Sequence, residues 1–375
     1  MQCALDHKAD LERLYDKSGE PYCMQLGGCR SRICKRDRQS RQGQWQTALK
    51  AFQQALAKAQ ADNNRVGQVN ALKSIGLVHC QLGEYAWGVK CLEQALQLAK
   101  AIGNRMNIAV ILNYMGAAYR QTGQNQRALR VYLQALAIFK QTGNEASTAR
   151  IVNRLGEIYN SLGQSERSLC YSRQALKMFQ DIGNVPDGEG AALHNLGEAY
   201  CQLGRHRPAL ALFEQALAIR QKLRNRYSEA TTLESIGTAY VNLNQELQGL
   251  EFYQQALEIR RRFAESPSTE ARCLDYIGAV HYKLGNYAFA LWHHLQALRI
   301  LQALHHTASS VTLLRDTADR ERFLQPLLGV YDRLGLHTQG AKCYEQALEI
   351  VKTFGDNPSD EAIHHYFEAD SSQLN

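Results

Sequence analysis

Apolar residues along this chain recur at steps of three and four residues, in stripes about 14 to 18 residues long. Between residues 69 and 102, one stripe consists of Leu72, Ile75, Val78 and Leu82, and the next of Val89, Leu92, Leu96 and Ala99. This spacing puts the apolar side chains on one face of an α-helix. Gly83 separates the stripes, and a glycine after the last apolar position is typical of a helix end. The pattern predicts two amphipathic helices joined by a short turn.

The two-helix pattern repeats along the chain. The alanine of a Gln-Ala-Leu tripeptide marks each copy, at steps of 40, 40, 40, 41, 40, 41 and 50 residues: Ala55, Ala95, Ala135, Ala175, Ala216, Ala256, Ala297 and Ala347. A second series lies at the predicted ends of the first helices: Gly43, Gly83, Gly123, Gly163, Gly204, Asn244, Gly285 and Gly335. The predicted second helices end at the pairs Gly103-Asn104, Gly143-Asn144 and Gly183-Asn184. We therefore predict about seven to eight copies of one helical hairpin.

Small residues indicate how the two helices of a copy meet. Six glycines fall in the middle of predicted first helices: Gly76, Gly116, Gly156, Gly197, Gly237 and Gly278. A glycine inside a helix costs about 1 kcal/mol relative to alanine, so its recurrence predicts a close helix crossing. We expect second-helix alanines to lie opposite, namely Ala128, Ala135, Ala209 and Ala216, with aromatic residues filling the space above, namely Tyr119, Tyr159, Tyr200, Tyr240 and, by register, His281.

These residues resemble a known family. The pattern Leu-x-x-(Leu/Ile)-Gly-x-x-Tyr, followed by Ala-x-x-x-(Tyr/Phe)-x-x-Ala, is similar to the tetratricopeptide repeat. The copies resemble its longer version of about 40 residues, found in kinesin light chains, Pins-type polarity adaptors and many bacterial proteins. The resemblance covers about residues 41–354. It implies an all-α solenoid, a right-handed superhelix with a concave groove lined by the first helices, and capture of a ligand or protein as the function.

The repeat predicts three regions. Residues 1–40 are expected to form a degenerate N-terminal cap or a partly disordered basic arm, because Arg, Ser and Gln stand where Leu, Gly and Tyr belong. The repeat array spans residues 41–355, with an insertion near 301–320 that accounts for the 50-residue step. Residues 356–375 form a polar C-terminal tail that is expected to fray.

Composition and charge add little chemistry. The net charge is +7, the ten cysteines form no CxxC pair, and no apolar run reaches membrane-spanning or signal-peptide length, so we predict a cytoplasmic protein without a membrane partner. The run at 30–41 carries six basic residues against Asp37; a solvated arm is favoured over nucleic-acid binding. His293, His294, His305 and His306 are interpreted as a polar helix face and loop, without a carboxylate partner at ligand spacing. No nucleotide-binding, zinc-protease or hydrolase motif occurs, so we predict no enzyme activity, no cofactor and no metal.

The resemblance also implies which residues face the groove. They are Asn70, Lys73, Asn113, Tyr114, Arg120, Arg150, Asn153, Arg154, Glu157, His194, Asn195, Glu198, Glu234, Asp275 and Tyr276. Asparagine amides both donate and accept hydrogen bonds, which suits an extended peptide backbone. Arg120, Arg150 and Arg154 are a candidate carboxylate site, since a guanidinium group binds a carboxylate through two hydrogen bonds.

The sequence thus favours a scaffold or adaptor that binds a peptide or protein segment in the groove. Two alternatives stay open. One is a peptide-sensing regulatory protein of the Rap type, and the other is the repeat part of a signalling or protease-associated system. The partner's identity and the oligomeric state are left undetermined.

Overall fold

The structure, a computed structural model, describes the backbone of residues 31–263 and 267–286 and of scattered residues between 289 and 300, with side chains from residue 43 onward. The predictions for residues 1–30, for the insertion near 301–320, for the last hairpin and for the tail at 356–375 lie outside these residues. Each described element is an α-helix, and the described ranges contain no strand.

Twelve helices are described over their whole length, and from the second onward their bounds match the predicted stripes. They are α1 (Ser31–Ala61), α2 (Arg65–Gln81), α3 (Tyr85–Ala101), α4 (Arg105–Gln121), α5 (Asn125–Gln141), α6 (Glu145–Ser161), α7 (Ser165–Ile182), α8 (Pro186–Gln202), α9 (His206–Lys222), α10 (Arg226–Asn242), α11 (Glu246–Arg262) and α12 (Pro267–Lys283). Most helices after α1 have 17 residues, within the predicted range.

The described residues divide into two compact units, an N-terminal unit of residues 32–223 and a C-terminal unit that begins at Arg224. In the N-terminal unit, α2 pairs with α3, α4 with α5, α6 with α7 and α8 with α9. In the C-terminal unit, α10 pairs with α11, and α12 packs against α11. We call the even-numbered helices first helices and α3, α5, α7, α9 and α11 second helices.

Helix α1 departs from the expected glycine series. Its C-terminal part contains the predicted second helix of the first copy, at residues 45–61. Gly43, the first member of the series, lies inside α1 and so does not end a helix. The other described members do: φ is positive at each, from 58° at Asn244 to 83° at Gly83. Glycine adopts this conformation freely and asparagine tolerates it, so the predicted helix ends are confirmed from Gly83 to Gly285.

The Gly-Asn pairs serve two helices rather than one. Gly103 ends α3 with a φ of 68°, whereas the side-chain oxygen of Asn104 accepts a hydrogen bond from the backbone N–H of Asn107, at 3.0 Å. That contact satisfies one of the free N–H groups at the start of α4. The same capping contact is made by Asn64, Asn144 and Asn225. The sequence predicted these pairs only as helix ends. In the structure, the glycine ends one helix and the capping asparagine begins the first helix of the next hairpin.

The pair Gly183-Asn184 is different and explains one 41-residue step. Both of its residues have positive φ, at 69° and 52°. Val185 follows, and α8 begins at Pro186, whose fixed φ suits the first position of a helix. Two residues therefore separate Gly183 from the start of α8, whereas one separates Gly103 from α4 and one separates Gly143 from α6.

The mid-helix glycines lie where the two helices of a hairpin come closest, as predicted, but their neighbours are not the predicted alanines. A Cβ atom on Gly116 would lie 2.5 Å from the ring of Tyr132, and one on Gly197 would lie 2.5 Å from the ring of Phe213. Each such neighbour precedes the Gln-Ala-Leu alanine by three residues, about one turn, because a longer side chain reaches across the crossing while the alanine packs beside it. These facing residues are Leu92, Tyr132, Ser172, Phe213, Tyr253 and His294.

The core between the hairpins combines these alanines with aromatic residues. Ala135, Phe139 and Phe179 are almost fully buried in one cluster of the N-terminal unit. Burial of one such large side chain contributes about 1.5–3 kcal/mol. The predicted tyrosines pack where expected: the ring of Tyr159 stacks on that of Tyr171, with centroids 5.2 Å apart.

Candidate ligand-binding face

The predicted groove residues of the N-terminal unit lie on its first helices α2, α4, α6 and α8. Among them only Asn70 is exposed. The half-buried members are Lys73, Asn113, Tyr114, Arg120, Arg150, Asn153, Arg154, Glu157 and Glu198, and the buried ones are His194 and Asn195. We call the surface formed by these side chains the first-helix face. Its partly exposed stretch runs along α4 and α6.

Several asparagines of this face join neighbouring hairpins. The Asn195 amide nitrogen on α8 donates to the Asn153 side-chain oxygen on α6, at 2.9 Å. In return, the Asn160 amide donates to the Asn195 backbone carbonyl at 2.9 Å, and the Gln202 amide donates to the Asn160 carbonyl at 3.0 Å. Buried amides without partners are costly, so these bonds hold α6 and α8 together. From the sequence we expected these amides to bind a peptide backbone. In the structure, some of them form hydrogen bonds within the protein instead.

Arginines dominate the stretch between α4 and α6. Arg120 on α4 binds Glu157 on α6, with 2.8 Å between Nη1 and Oε1, and the two side chains are 27% and 33% exposed. Arg150 and Arg154 lie half-buried on α6. Arg120 thus lies on one first helix, and Arg150 and Arg154 lie on the next one along the chain. That the three guanidinium groups form one carboxylate site stays a prediction.

The face becomes more buried at α8. The imidazole of His194 is 6% exposed, lies 3.3 Å from the Glu198 carboxylate and tilts against the Phe213 ring. Burial raises the pKa of the Glu198 carboxyl, but its contacts with His194 and the charge of Arg220 more than offset burial and leave that pKa below its ordinary value. The carboxylate therefore stays ionised at neutral pH.

Sequence reasoning missed two buried arginines on second helices. Arg220 on α9 is 7% exposed, and Arg260 on α11 is 1% exposed. Burial lowers the pKa of Arg220 to about 10, against the opposing charges of Asp187 and Glu198. The available signal was register: both arginines stand four residues after the Gln-Ala-Leu alanine, where Phe139 and Phe179 occupy the core. A charge at a core position indicates a buried partner.

The partner in the C-terminal unit is Glu234, which had been predicted to face the groove. Its side chain is buried, and Oε1 accepts from Arg260 Nε at 2.6 Å and from the Cys273 thiol at 2.7 Å. Oε2 binds Arg272 at 2.9 Å. One carboxylate thereby ties α10, α11 and α12 together. Glu234 therefore holds these helices together and does not form part of an open surface.

Asp275 and His294 form a second buried pair in the C-terminal unit. Asp275 Oδ1 lies 2.9 Å from His294 Nδ1, and both side chains are shielded from solvent. The histidine stretch was interpreted as a polar helix face and loop, and for His294, which is fully buried, that interpretation is wrong. The reason is tertiary, since His294 is the facing residue over Gly278 and reaches the first helix α12 across the crossing. Tyr276, the other predicted groove residue of α12, stacks on Tyr253 with centroids 5.1 Å apart.

The thiols show no sign of activation. Burial raises the pKa of Cys80 to about 11 and that of Cys201 to about 12, so both are protonated at neutral pH. Within the described ranges, no three His, Cys, Asp or Glu side chains converge in a way that would hold a metal ion. Over the same part of the chain, no helix is both long and apolar enough to cross a membrane.

Consecutive helical hairpins with a crossing glycine and an αL glycine stop define an α-helical repeat protein of the solenoid class. The sequence profile of the tetratricopeptide repeat matches five overlapping stretches, residues 68–141, 107–181, 147–222, 188–262 and 228–303. The chain belongs to the tetratricopeptide repeat family, and the predicted all-α fold is confirmed. Members of this family are generally non-enzymatic scaffolds for protein interactions.

Solved structures show the same fold at low sequence identity. A signal-transduction ATPase with a tetratricopeptide repeat sensor from Pyrococcus horikoshii has a TM-score of 0.55 at 15% identity, covering 79% of this chain and 43% of that one. A Rap protein complexed with competence and sporulation factor has a TM-score of 0.53 at 14% identity, covering 83% and 98%. The repeats of a putative kinesin light chain from P. anserina have a TM-score of 0.43 at 22% identity, covering 52% and 94%. No curated protein sequence matches the chain significantly.

Proposed function

We propose that this protein is a scaffold or adaptor that binds a peptide or protein segment on the first-helix face of its N-terminal unit. The observation that supports the proposal is the position of three half-buried arginines on two successive first helices, Arg120 on α4 and Arg150 and Arg154 on α6. Guanidinium groups on a partly exposed surface favour a ligand with carboxylates.

The neighbouring polar groups suit a peptide. Asn70 on α2 is exposed, and the side-chain oxygen of Asn113, on the same helix as Arg120, has no hydrogen-bond partner among the described residues. An extended segment needs donors and acceptors along its backbone as well as a site for its charges. The proposal includes no cofactor, metal or catalytic step.

The test is a screen of a synthetic peptide array followed by affinity measurement on the double variant Arg150→Gln/Arg154→Gln. Asn153 is left intact, because its side chain accepts a hydrogen bond from Asn195. We expect peptides selected on the natural protein to lose at least about ten-fold in affinity, with an unchanged unfolding midpoint.

The matched control is Arg130→Gln/Lys140→Gln, which removes the same charge from exposed positions of the second helix α5. Selected peptides should bind this control as they bind the natural protein. An equal loss of affinity in both variants would show that the effect comes from net charge alone. Selected peptides that bind Arg150→Gln/Arg154→Gln as tightly as the natural protein would contradict the proposal.

A peptide-sensing regulator is the second candidate, and it draws on the 98% coverage of the Rap structure's chain. The two functions differ in what the peptide does to the protein. A regulator changes conformation on binding, whereas a scaffold does not. Small-angle scattering with and without a selected peptide separates them: a changed radius of gyration supports the regulator, and an unchanged one supports the scaffold.

A further inference from the structure

Positive charge is concentrated in one part of the N-terminal unit. Residues 43–141 contain eleven Lys and Arg residues against three Asp and Glu residues, a net charge of +8. Residues 142–223 contain nine against eight, a net charge of +1. Of the three acidic residues in the basic part, Glu84 already has a partner, since its carboxylate lies 2.6 Å from His79 Nδ1. The positive charge is therefore far from balanced within residues 43–141.

Three of these basic residues occupy one register of successive second helices. Lys90 on α3 and Arg130 on α5 each stand five residues before the Gln-Ala-Leu alanine, and Lys50 has the same position in the C-terminal part of α1. The next two copies carry Cys170 and Ala211 at this position. The series of positive charges thus ends at α5, where the excess of basic residues also ends.

Lys90 and Arg130 point away from the first helices of their hairpins. Leu92 and Tyr132 are the residues that cross over the glycines of α2 and α4. Lys90 and Arg130 stand two residues earlier, about 200° around the helix axis, and so lie opposite the buried side. Both are exposed, as is Lys50, and none of the three forms an ion pair with another described residue.

Neighbouring exposed side chains extend this basic surface. On a helix, residues three before and four after a given position share its side. We call the surface formed by these exposed side chains the outer face: Lys50, Trp87, Lys90, Gln94, Arg127 and Arg130. None of the six is acidic, and the acidic residue beside them, Glu93, accepts a hydrogen bond from the Tyr119 hydroxyl.

Trp87 is the aromatic residue of the outer face. It is 59% exposed, and the Lys90 ammonium group lies over its ring, 4.9 Å from the centroid. An indole ring in solvent between cationic side chains matches the chemistry of a single nucleic-acid strand. Bases of such a strand stack on aromatic rings, while its phosphates bind Lys and Arg side chains.

We infer that the outer face binds single-stranded nucleic acid, with an unpaired base stacked on Trp87 and the phosphates on either side bound by the basic residues. An anionic membrane would need a broad apolar area beside the charges, whereas Trp87 is the one large apolar side chain of the outer face. An acidic protein segment would balance the charges but would bring no base to the indole. The outer face lies on second helices, so this function goes beyond peptide binding on the first-helix face.

The probes are fluorescein-labelled oligouridine and oligothymidine of about 20 nucleotides, measured by fluorescence anisotropy at about 50 to 200 mM salt. The natural protein should bind at least one of the two strands, and its affinity should fall as salt rises, because binding releases counterions from the phosphates. Labelled oligoglutamate of about the same charge and vesicles with about 30% phosphatidylserine present negative charge without bases. Both should bind at least about ten-fold more weakly than the strand.

The triple variant Lys50→Gln/Lys90→Gln/Arg130→Gln removes three charges from the outer face. Its affinity for the strand should fall at least about ten-fold at low salt. The plot of log affinity against log salt should become shallower by about 2, because each phosphate contact with a single strand contributes about 0.7 to that slope.

The matched control removes the same charges from another part of the N-terminal unit. Lys177→Gln/Arg207→Gln/Lys222→Gln changes two lysines and one arginine at exposed positions of α7 and α9. Its affinity should stay within about two-fold of that of the natural protein, since salt screens charges at a distance.

Trp87→Ala separates stacking from charge. Losing one stacked base should weaken binding of the strand about five-fold or more, while the salt slope stays the same. Trp87→Phe keeps an aromatic ring and should recover most of the affinity. Because Trp87 is largely exposed, the thermal midpoint should be the same in both variants.

Four results would overturn the inference. They are failure of both strands to bind, binding of oligoglutamate or vesicles as tightly as the strands, an equal loss of affinity in the two triple variants, and full affinity in Trp87→Ala. None of them decides the proposed function, which depends on peptides selected from the array and on Arg150 and Arg154.

Discussion

Replacing Glu234 by glutamine removes one negative charge from a buried contact of the C-terminal unit while preserving the size of the side chain. The carboxylate holds Arg260 at 2.6 Å, Arg272 at 2.9 Å and the Cys273 thiol at 2.7 Å. A glutamine keeps one acceptor oxygen but turns an NH₂ group toward donors. Arg260, whose side chain is 0% exposed, then loses its contact with a carboxylate in the core.

The expected loss follows from burial. Breaking a buried ion pair by removing one partner destabilises a protein by about 3–5 kcal/mol. The Arg272 contact adds less, about 0–1 kcal/mol, because the Arg272 side chain is 37% exposed. Folded domains are stable by only about 5–15 kcal/mol, and repeats depend mainly on their neighbours. Glu234→Gln should therefore unfold the region around α10 and α11 locally before the rest of the chain.

Urea unfolding followed by circular dichroism gives the size of the loss, and hydrogen exchange gives its place. Exchange should speed up over residues 226–262 and stay unchanged over residues 105–222. The control is Glu270→Gln, which breaks the half-exposed pair with Arg261, at 2.8 Å, and should lose about 0–1 kcal/mol. Adding Arg260→Met to Glu234→Gln removes the buried positive charge and should restore part of the stability.

A loss of stability in Glu234→Gln no larger than that in Glu270→Gln would contradict this account of the buried ion pair. So would a further loss when Arg260→Met is added to Glu234→Gln, since the loss would then come from packing and not from the buried charge.

Two further predictions concern glycines and thiols. Gly43→Ala should raise the free energy of unfolding by about 1 kcal/mol, because Gly43 lies inside α1 with nothing within 4 Å of an added Cβ. Gly116→Ala should lower the free energy of unfolding by about 1–3 kcal/mol, because the added Cβ meets the Tyr132 ring. Urea midpoints that shift equally in the two variants would contradict both predictions. At pH 8 a thiol-specific reagent should modify the exposed Cys170 well before Cys80, because burial raises the pKa of Cys80 to about 11. The reaction of Cys80 should become faster as the pH rises. Site-resolved mass spectrometry measures the two rates, and equal rates would contradict the prediction.

The hairpins could be predicted from the sequence because they depend on short-range physics. A 3.6-residue apolar period specifies an amphipathic helix, and a glycine with positive φ, such as Gly83, specifies its end. Repetition at 40 and 41 residues then predicts the array. The sequence did not show which residue of a Gly-Asn pair ends one helix and which begins the next, since both residue types are common in turns.

The candidate site could be predicted only in part. The repeat put Arg120, Arg150 and Arg154 on first helices, which the structure confirms, and the family resemblance implied that they face the groove, which stays a prediction. Register did not reveal that Asn153 accepts from Asn195, a residue 42 positions away, or that Glu234 is enclosed by Arg260 and Cys273.

The repeat, its helices, most of its turns and the family follow from the sequence alone. Which polar side chains form hydrogen bonds inside the protein follows only from the tertiary structure. The same is true of the Tyr132 ring of α5, which lies over Gly116 of α4 in the buried core of the N-terminal unit. The physical reason is that periodicity fixes the direction in which a side chain leaves its own helix, whereas its contacts depend on how closely the neighbouring helix approaches.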